Sequence, residues 1–186
     1  MIDEFSIDVE EYRRALSAFF TGVTVLTTLQ LDGTPRGLTA NSFTSVSLNP
    51  PLVLICIAKQ ASSYTVFANA GHFAVSILAQ EQESIAKLFA SKAVDKFSQT
   101  KWYPCCSGSP VIWGAAASFD CQMYKFIDAG DHGVLIGRVL DFSHAEEVPS
   151  LGYYRGSYMS FSLTQNAIGT SKESSNKLRF QNIHVD

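Results

Sequence analysis

The chain has 186 residues, 46% of them hydrophobic and 17% charged, and a formal net charge of -3 at pH 7. This length predicts a single domain with a sizeable core, and an acidic balance without a basic stripe argues against nucleic acid as a partner. No apolar run approaches the length of a membrane span, and acidic residues stand where a secretory signal would be basic. The four cysteines lack metal-ligand spacing, so we expect a cytoplasmic protein with reduced thiols and no metal site.

In chain order, the sequence predicts short helices placed between β-strands. Apolar residues at helical spacing predict helices at Val9–Phe20, Ala61–Ala70 and Gln82–Ser91. Runs rich in β-branched and aromatic residues predict strands at Val23–Leu31, Leu52–Ala58, His72–Leu78, Ala115–Phe126, Gly133–Phe142 and Tyr153–Leu163, with a loop at Ser98–Ser109. Because strands dominate, we expect a mainly β protein with short helices, built as an antiparallel barrel of about six or seven strands.

Two further features bear on the architecture. The continuous apolar run Leu52–Ala58 predicts a strand that is buried on both faces, within a barrel or against a second subunit. From Thr164 the chain turns polar and loses its periodicity. Residues 1–163 are therefore predicted to form the domain, and residues 164–186 a C-terminal tail or an arm over a neighbour.

A polar stretch before the apolar run Leu52–Ala58 is the clearest candidate for ligand binding. Its side chains donate and accept hydrogen bonds without carrying charge, which suits a heteroaromatic ring edge or a phosphate. They are Thr39, Asn41, Ser42, Thr44, Ser45 and Ser47. The competing interpretation is a solvated strand with Ser and Thr on its outer face.

Three cationic or imidazole groups near turns are further candidates. Lys59 precedes Ser62 and Ser63 at a predicted helix start, where exposed amides, a partial positive dipole and an ammonium together bind phosphate. N-capping alone explains Ser62 but leaves Lys59 unexplained. Asp95-Lys96-Phe97 offers a cation beside an aromatic ring, and the glycines around His132 allow a turn that aims its imidazole into a pocket. A structural role for this histidine is the alternative.

Other chemistries lack their motifs. No Gly-x-Gly-x-x-Gly follows a strand, a Walker loop and a serine-hydrolase elbow are absent, and the histidines are scattered. Any catalysis is therefore expected to come from a bound cofactor, with no catalytic side chain of the protein's own.

Together these segments resemble the flavin reductase-like proteins, which have a split-barrel FMN-binding fold and act as reductase components of two-component flavin-dependent monooxygenases. The matching segments run in order over roughly residues 10–163. The specific part is GLTANSFTSVSLNPP at residues 37–51. Weaker parts are FTGVTVLTT at 20–28, SSYT at 62–65, GHFAVSIL at 71–78, LFA at 88–90, DKF at 95–97, GDH at 130–132 and RGSY at 155–158.

The resemblance implies a homodimer that holds FMN or FAD near the subunit interface. The implied ring and ribityl contacts are Thr39, Ala40, Asn41, Ser42, Ser45, Val46 and Ser47. The implied phosphate contacts are Lys59, Ser62, Ser63 and Thr65, with Phe89, Lys96 and Phe97 closing over the phosphate or adenylate end. His132 is implied to lie where the nicotinamide nucleotide docks, and Tyr158 near the ring face. Lys96 stands where many relatives have arginine.

The implied activity is hydride transfer from NADH or NADPH to the flavin, with supply of reduced flavin to a separate oxygenase. In this scheme His132 and Tyr158 assist, and neither is required as an acid or base. Two alternatives stay open: a flavin carrier that does not react with nicotinamide, and an enzyme on the same barrel that reduces a metal or another acceptor through flavin.

Overall fold

A seven-stranded antiparallel sheet dominates the computed structural model, which describes residues 7–160. The strands are β1 Thr21–Gly22, β2 Thr24–Leu29, β3 Pro35–Ala40, β4 Thr44–Leu48, β5 Pro51–Ala58, β6 His72–Ile77, β7 Trp102–Pro104, β8 Pro110–Ile112, β9 Ala117–Ala129, β10 His132–His144, β11 Gly152–Tyr154 and β12 Ser157–Met159. The helices are α1 Val9–Ser17, α2 Tyr64–Ala68 and α3 Glu83–Ala90. The predicted mainly β fold with short helices is confirmed.

The order of the strands requires the main sheet to curl. The order is β3-β2-β6-β9-β10-β5-β4, so the two edge strands, β3 and β4, are consecutive in the chain. Only residues 41–43 join them, a link that reaches about 14 Å from Ala40 to Thr44. In a flat sheet the outer strands would lie about 29 Å apart. The edges therefore approach each other at this end, and because β3 and β4 do not pair within residues 7–160 the sheet is an open, split barrel.

The hydrophobic core lies on both sides of β2. Leu26 belongs to one buried cluster, with Phe67 of α2 and Phe73 of β6, whereas Val25 belongs to a second cluster beneath α3, with Phe89. These neighbours in the chain point to opposite faces because side chains alternate along a strand.

The structure shows a different burial pattern for β5 from the one predicted. Its side chains Val53, Ile55 and Ile57 are buried, while the residues between them stay half-buried within this single chain. Burial on both faces is instead a property of β2, because the two core clusters that contain Leu26 and Val25 cover its opposite faces.

Three predicted boundaries also change. The predicted loop 98–109 contains β7, which pairs with β8 in a hairpin. The last predicted strand is a second hairpin, β11–β12, turned at Arg155 and Gly156, whose φ angles are 45° and 82°. Helix α2 is shorter than the predicted 61–70. Residues 161–186, including the predicted tail 164–186, lie outside the described residues.

Helix α1 is capped by Asp8 but buries none of its residues within the described chain. The Asp8 carboxylate accepts hydrogen bonds from the backbone amides of Glu10 and Glu11 at 2.8 and 3.2 Å. The helix buries no residue, and Tyr12 and Leu16 on its apolar face are 54% and 56% exposed. None of the helices within residues 7–160 is long and apolar enough to cross a bilayer.

The Gly137→Ala substitution tests how tightly the sheet packs. A Cβ at Gly137 would clash with the buried ring of Phe73 and lie 2.9 Å from Cys121 Cβ. Overpacking of a rigid core destabilises by about 1–3 kcal/mol, so thermal denaturation should show a Tm lowered by several degrees. Gly71→Ala is the matched control, because nothing lies within 4 Å of its new Cβ. Equal Tm values for the two variants would contradict the packing described.

Candidate functional site

The carboxyl end of β5 brings together three of the predicted site segments. The Ser42 hydroxyl donates to the Cys56 carbonyl at 3.1 Å and accepts from the Cys56 amide at 2.9 Å, which fixes the β3–β4 link beside β5. Two residues further along β5, Ala58 stands opposite His132 in the β5–β10 register. Lys59 follows directly. The link 41–43, Lys59 and His132 thus share one end of the sheet.

Lys59 is held at this end by the turn between β9 and β10. Its ammonium forms an ion pair with Asp128 at 2.5 Å, and its backbone amide donates to the Asp131 carbonyl at 2.8 Å. The hydrogen bond to Asp128 raises the pKa of Lys59, so the side chain stays cationic at neutral pH. Because the side chain is 39% exposed, the charge remains accessible from solvent.

His132 is oriented by its neighbour in the same turn. Its Nδ1 lies 2.7 Å from the Asp131 carboxylate, and the imidazole is about half exposed. The hydrogen bond with His132 lowers the pKa of Asp131, so this carboxylate remains ionised as an acceptor. The arrangement leaves Nε2 as the ring nitrogen available to a ligand.

The segment after Lys59 contributes hydroxyls rather than a strong helix dipole. Helix α2 has only five residues, so its macrodipole is small, and the sequence-based argument from a helix N-terminus loses weight. Ser63 occupies the N-cap position, but its side chain makes no capping hydrogen bond. Ser62 and Thr65 are exposed, whereas Ser63 is 8% exposed.

A second group of predicted residues surrounds α3. The Thr39 hydroxyl donates to the Ala86 carbonyl at 2.6 Å, which attaches β3 to this helix. Phe89 is buried, and its ring meets that of Phe97 edge to face at 5.2 Å. The Lys96 ammonium donates to the Phe89 carbonyl at 2.8 Å, and burial lowers the pKa of Lys96. In this structure Lys96 therefore caps the carboxyl end of α3.

Tyr158 belongs to the same side of the molecule as α3. Its ring packs edge to face on Tyr153 at 5.3 Å, and the Lys87 ammonium lies 5.9 Å from its centroid. Burial raises the pKa of the Tyr158 phenol. Tyr158 thus contacts α3 and β11, whereas His132 contacts Asp131 and pairs with β5.

The remaining predicted residues lie on the short link and on edge strand β4. Ala40 is buried, and its carbonyl accepts a hydrogen bond from the Thr24 hydroxyl at 2.7 Å. Asn41, Ser45 and Val46 are exposed, and Ser47 is half-buried. Within the predicted polar stretch, the hydroxyls of Thr39 and Ser42 therefore bond to backbone groups, while Asn41 and Ser45 face solvent.

Residues 39–42 connect the two groups. Thr39 is bonded to α3 and Ser42 to β5, so one short segment runs from the α3 group to the Lys59 and His132 group. A cleft of about 400 Å³ lies elsewhere, between the β7–β8 hairpin and the sheet, and no predicted flavin contact lines it. Within residues 7–160, no three His, Cys, Asp or Glu side chains are placed to hold a metal ion.

Two acidic residues escaped the sequence analysis although they position the site. Asp128 pairs with Lys59, and Asp131 holds both the Lys59 backbone and the His132 ring. The sequence did mark their place in a turn, because both residues lie close to Gly130, whose φ of 57° suits the turn of a hairpin. The sequence did not reveal which strand end this turn faces.

The curled sheet and its polar link define a small split-barrel protein with a candidate nucleotide-binding edge. A family model described as "Flavin reductase like domain" matches residues 16–162, most of the chain. The chain belongs to the flavin reductase-like family.

The relatives carry consistent names. The reductase component of the flavin-dependent trigonelline monooxygenase of Acinetobacter baylyi is 51% identical over 150 residues, covering 81% of this chain and 48% of that protein. A reductase subunit of a flavin-dependent monooxygenase from Rhodococcus jostii is 41% identical over 153 residues, covering 82% and 78% of the two chains. The chain spans about half the length of the first of these two relatives.

A solved structure extends the likeness to three dimensions. The NADH:FAD oxidoreductase of Streptomyces globisporus, in complex with NAD and FAD fragments, is 38% identical with a TM-score of 0.81. The match covers 86% of this chain and 96% of that one.

Proposed function

We propose that this protein is an NAD(P)H-dependent flavin reductase that supplies reduced flavin to a separate oxygenase. The observation that carries the proposal is the meeting of Lys59, His132 and the 41–43 link at one end of β5. The names of the relatives support it, since two are reductase components of flavin-dependent monooxygenases. FMN and FAD, and NADH and NADPH, are kept as alternatives.

The hydrogen-bonding side chains at this end of β5 fit a flavin. Asn41, Ser45 and Ser62 are exposed and uncharged, so they can bond a ring edge or a phosphate in more than one redox state. Lys59 adds one accessible positive charge for the phosphate. The proposed flavin and nicotinamide contacts are Thr39, Ala40, Asn41, Ser42, Ser45, Val46, Ser47, Lys59, Ser62, Ser63, Thr65, Phe89, Lys96, Phe97, His132 and Tyr158.

The chain's own groups bind and orient rather than move protons. Bound flavin would supply the acceptor for the hydride of the nicotinamide nucleotide. Lys59 would hold the phosphate. The hydroxyls of Thr39 and Ser42 already bond to backbone groups, so these residues would fix the position of segment 39–42 rather than bond the ligand through their side chains. His132, oriented by Asp131, would contact the nicotinamide nucleotide through Nε2. Proximity and orientation of the two ligands are the catalytic contribution of such a site.

A homodimer in the cytoplasm completes the proposal. The apolar face of α1 is exposed, as are Val46 and Leu48 on edge strand β4, at 45% and 92%. Exposed apolar faces of this kind suit a subunit interface. All four cysteines are free thiols, which fits a reducing compartment.

The activity is tested by following NADH and NADPH oxidation with added FMN or FAD. We expect turnover that requires flavin and delivers reduced flavin into solution, which anaerobic absorbance spectra detect. Flavin binding without oxidation of either nucleotide would instead support a carrier. Flavin-dependent turnover only with an added metal acceptor would support the third alternative.

The His132→Ala substitution should raise the KM for the nicotinamide nucleotide about fivefold, the effect of one lost hydrogen bond. Steady-state kinetics measures this, and a flavin titration should show an unchanged dissociation constant. His144→Ala is the matched control, because it lies at the other end of the same strand and is exposed. An unchanged KM in the His132 variant would remove this residue from the nicotinamide site.

A further inference from the structure

The cleft of about 400 Å³ is a second concave surface, separate from the proposed flavin site. It lies between the β7–β8 hairpin and the paired ends of β9 and β10 that are farthest from His132. Val111, which is 2% exposed, contributes an apolar lining. Tyr103 and Phe142 contribute aromatic rings that are 38% and 64% exposed, and each is braced by another ring: Trp113 against Tyr103 and Phe119 against Phe142.

One lining residue, Asp120, is a buried carboxylate whose two oxygens differ in their hydrogen bonding. The residue is 3% exposed, and its Oδ2 accepts a hydrogen bond from the Ser107 amide at 2.9 Å. Its Oδ1 is buried and has no hydrogen-bond partner among the described residues. Burying a carboxylate oxygen without a donor is unfavourable, so a ligand donor that reached Oδ1 from the cleft would be stabilised there.

A second aspartate lies on the neighbouring strand, and its Oδ1 accepts a hydrogen bond from the Phe142 amide at 2.9 Å. Asp141 of β10 stands directly opposite Asp120 of β9 in the register, and both residues line the cleft. Like charges directly opposite each other across an antiparallel pair repel. Neither carboxylate forms an ion pair within residues 7–160, and the cleft lining contains no lysine or arginine. Burial, together with a hydrogen bond to Asp120, raises the pKa of the neighbouring Cys105 thiol, which therefore adds no charge.

We propose that this cleft binds a small organic ammonium ion with an aromatic or alkyl body. An N–H group of the ligand would bond Asp120 Oδ1, and its positive charge would relieve the repulsion between Asp120 and Asp141. The body of the ligand would lie against Tyr103 and Phe142, whose ring faces attract cations. A bare metal ion is disfavoured, because hard cations need several oxygen ligands whereas aromatic and apolar groups line much of this cleft. The site is independent of the proposed flavin chemistry.

The test compares 2-phenylethylammonium with its neutral analogue 2-phenylethanol by isothermal titration of the full chain. We expect saturable binding of the amine and binding of the alcohol weaker by about tenfold or more. Asp120→Asn should weaken amine binding by about tenfold, and Asp141→Asn by several-fold, because its carboxylate is exposed. Bound amine should also slow alkylation of Cys106, an exposed thiol on the cleft.

Two controls keep the result interpretable. Glu81→Gln removes one exposed carboxylate outside the cleft and should leave amine binding unchanged. If Asp120→Asn fails to fold, the Asp141 variant and the comparison of amine with alcohol show whether the carboxylates bind the ammonium group. Equal binding of amine and alcohol, or no saturable binding in the millimolar range, overturns the proposal. Unchanged affinity in both aspartate variants also overturns it, since solvent alone would then satisfy Asp120.

Discussion

Replacing Lys59 with glutamine should weaken FMN binding about tenfold while leaving riboflavin binding unchanged. Lys59 places an accessible ammonium at the end of β5, and a charge-assisted hydrogen bond to phosphate is stronger than a neutral one. Riboflavin lacks the phosphate, so only FMN should respond to the loss of this charge. Fluorescence titration of the two ligands measures both dissociation constants.

The ion pair of Lys59 with Asp128 allows a second substitution, whose expected effect on FMN binding is opposite in direction. Asp128 competes with a phosphate for the same ammonium, so Asp128→Asn should strengthen FMN binding or leave it unchanged. Lys101→Gln, an exposed lysine beside β7, removes the same charge elsewhere and serves as the control. The assignment of Lys59 to the phosphate would be wrong if Lys59→Gln weakened FMN and riboflavin equally, or weakened neither.

Strand identity was readable from the sequence because it depends on local patterns. The strands β2, β5, β6, β9 and β10 carry β-branched and apolar runs, and each lies within a few residues of its predicted bounds. The hairpin β7–β8 was missed because its short strands contain Pro104 and Pro110, which are typical of loops.

The partners within the site were not readable, because they depend on register. Lys59 and Asp128 are distant in sequence, and they meet only because His132 pairs with Ala58. Likewise, the composition of the polar stretch could not show which hydroxyls face the backbone. Thr39 and Ser42 are engaged by the Ala86 and Cys56 backbone groups, a division that only the fold determines.

Replacing Phe89 with alanine should lower the free energy of unfolding by about 3–5 kcal/mol, as expected for a large buried aromatic side chain. Phe89 is 1% exposed and packs α3 onto β3, where its ring contacts the position of Gly37. Urea denaturation measures the loss. Phe142→Ala is the control, because Phe142 is 64% exposed and its removal should cost about 1 kcal/mol or less.

Gly37 separates this packing from a general loss of core volume. A Cβ built at Gly37 would lie 2.7 Å from Phe89 Cε1, so Gly37→Ala should destabilise the native chain by about 1–3 kcal/mol. In the Phe89→Ala background the ring is absent, and the new methyl would enter the cavity. The same substitution should then cost much less, although the Leu26 carbonyl 3.2 Å away keeps the fit tight. Additive effects in this double-mutant cycle would show that Phe89 does not pack on β3 as described.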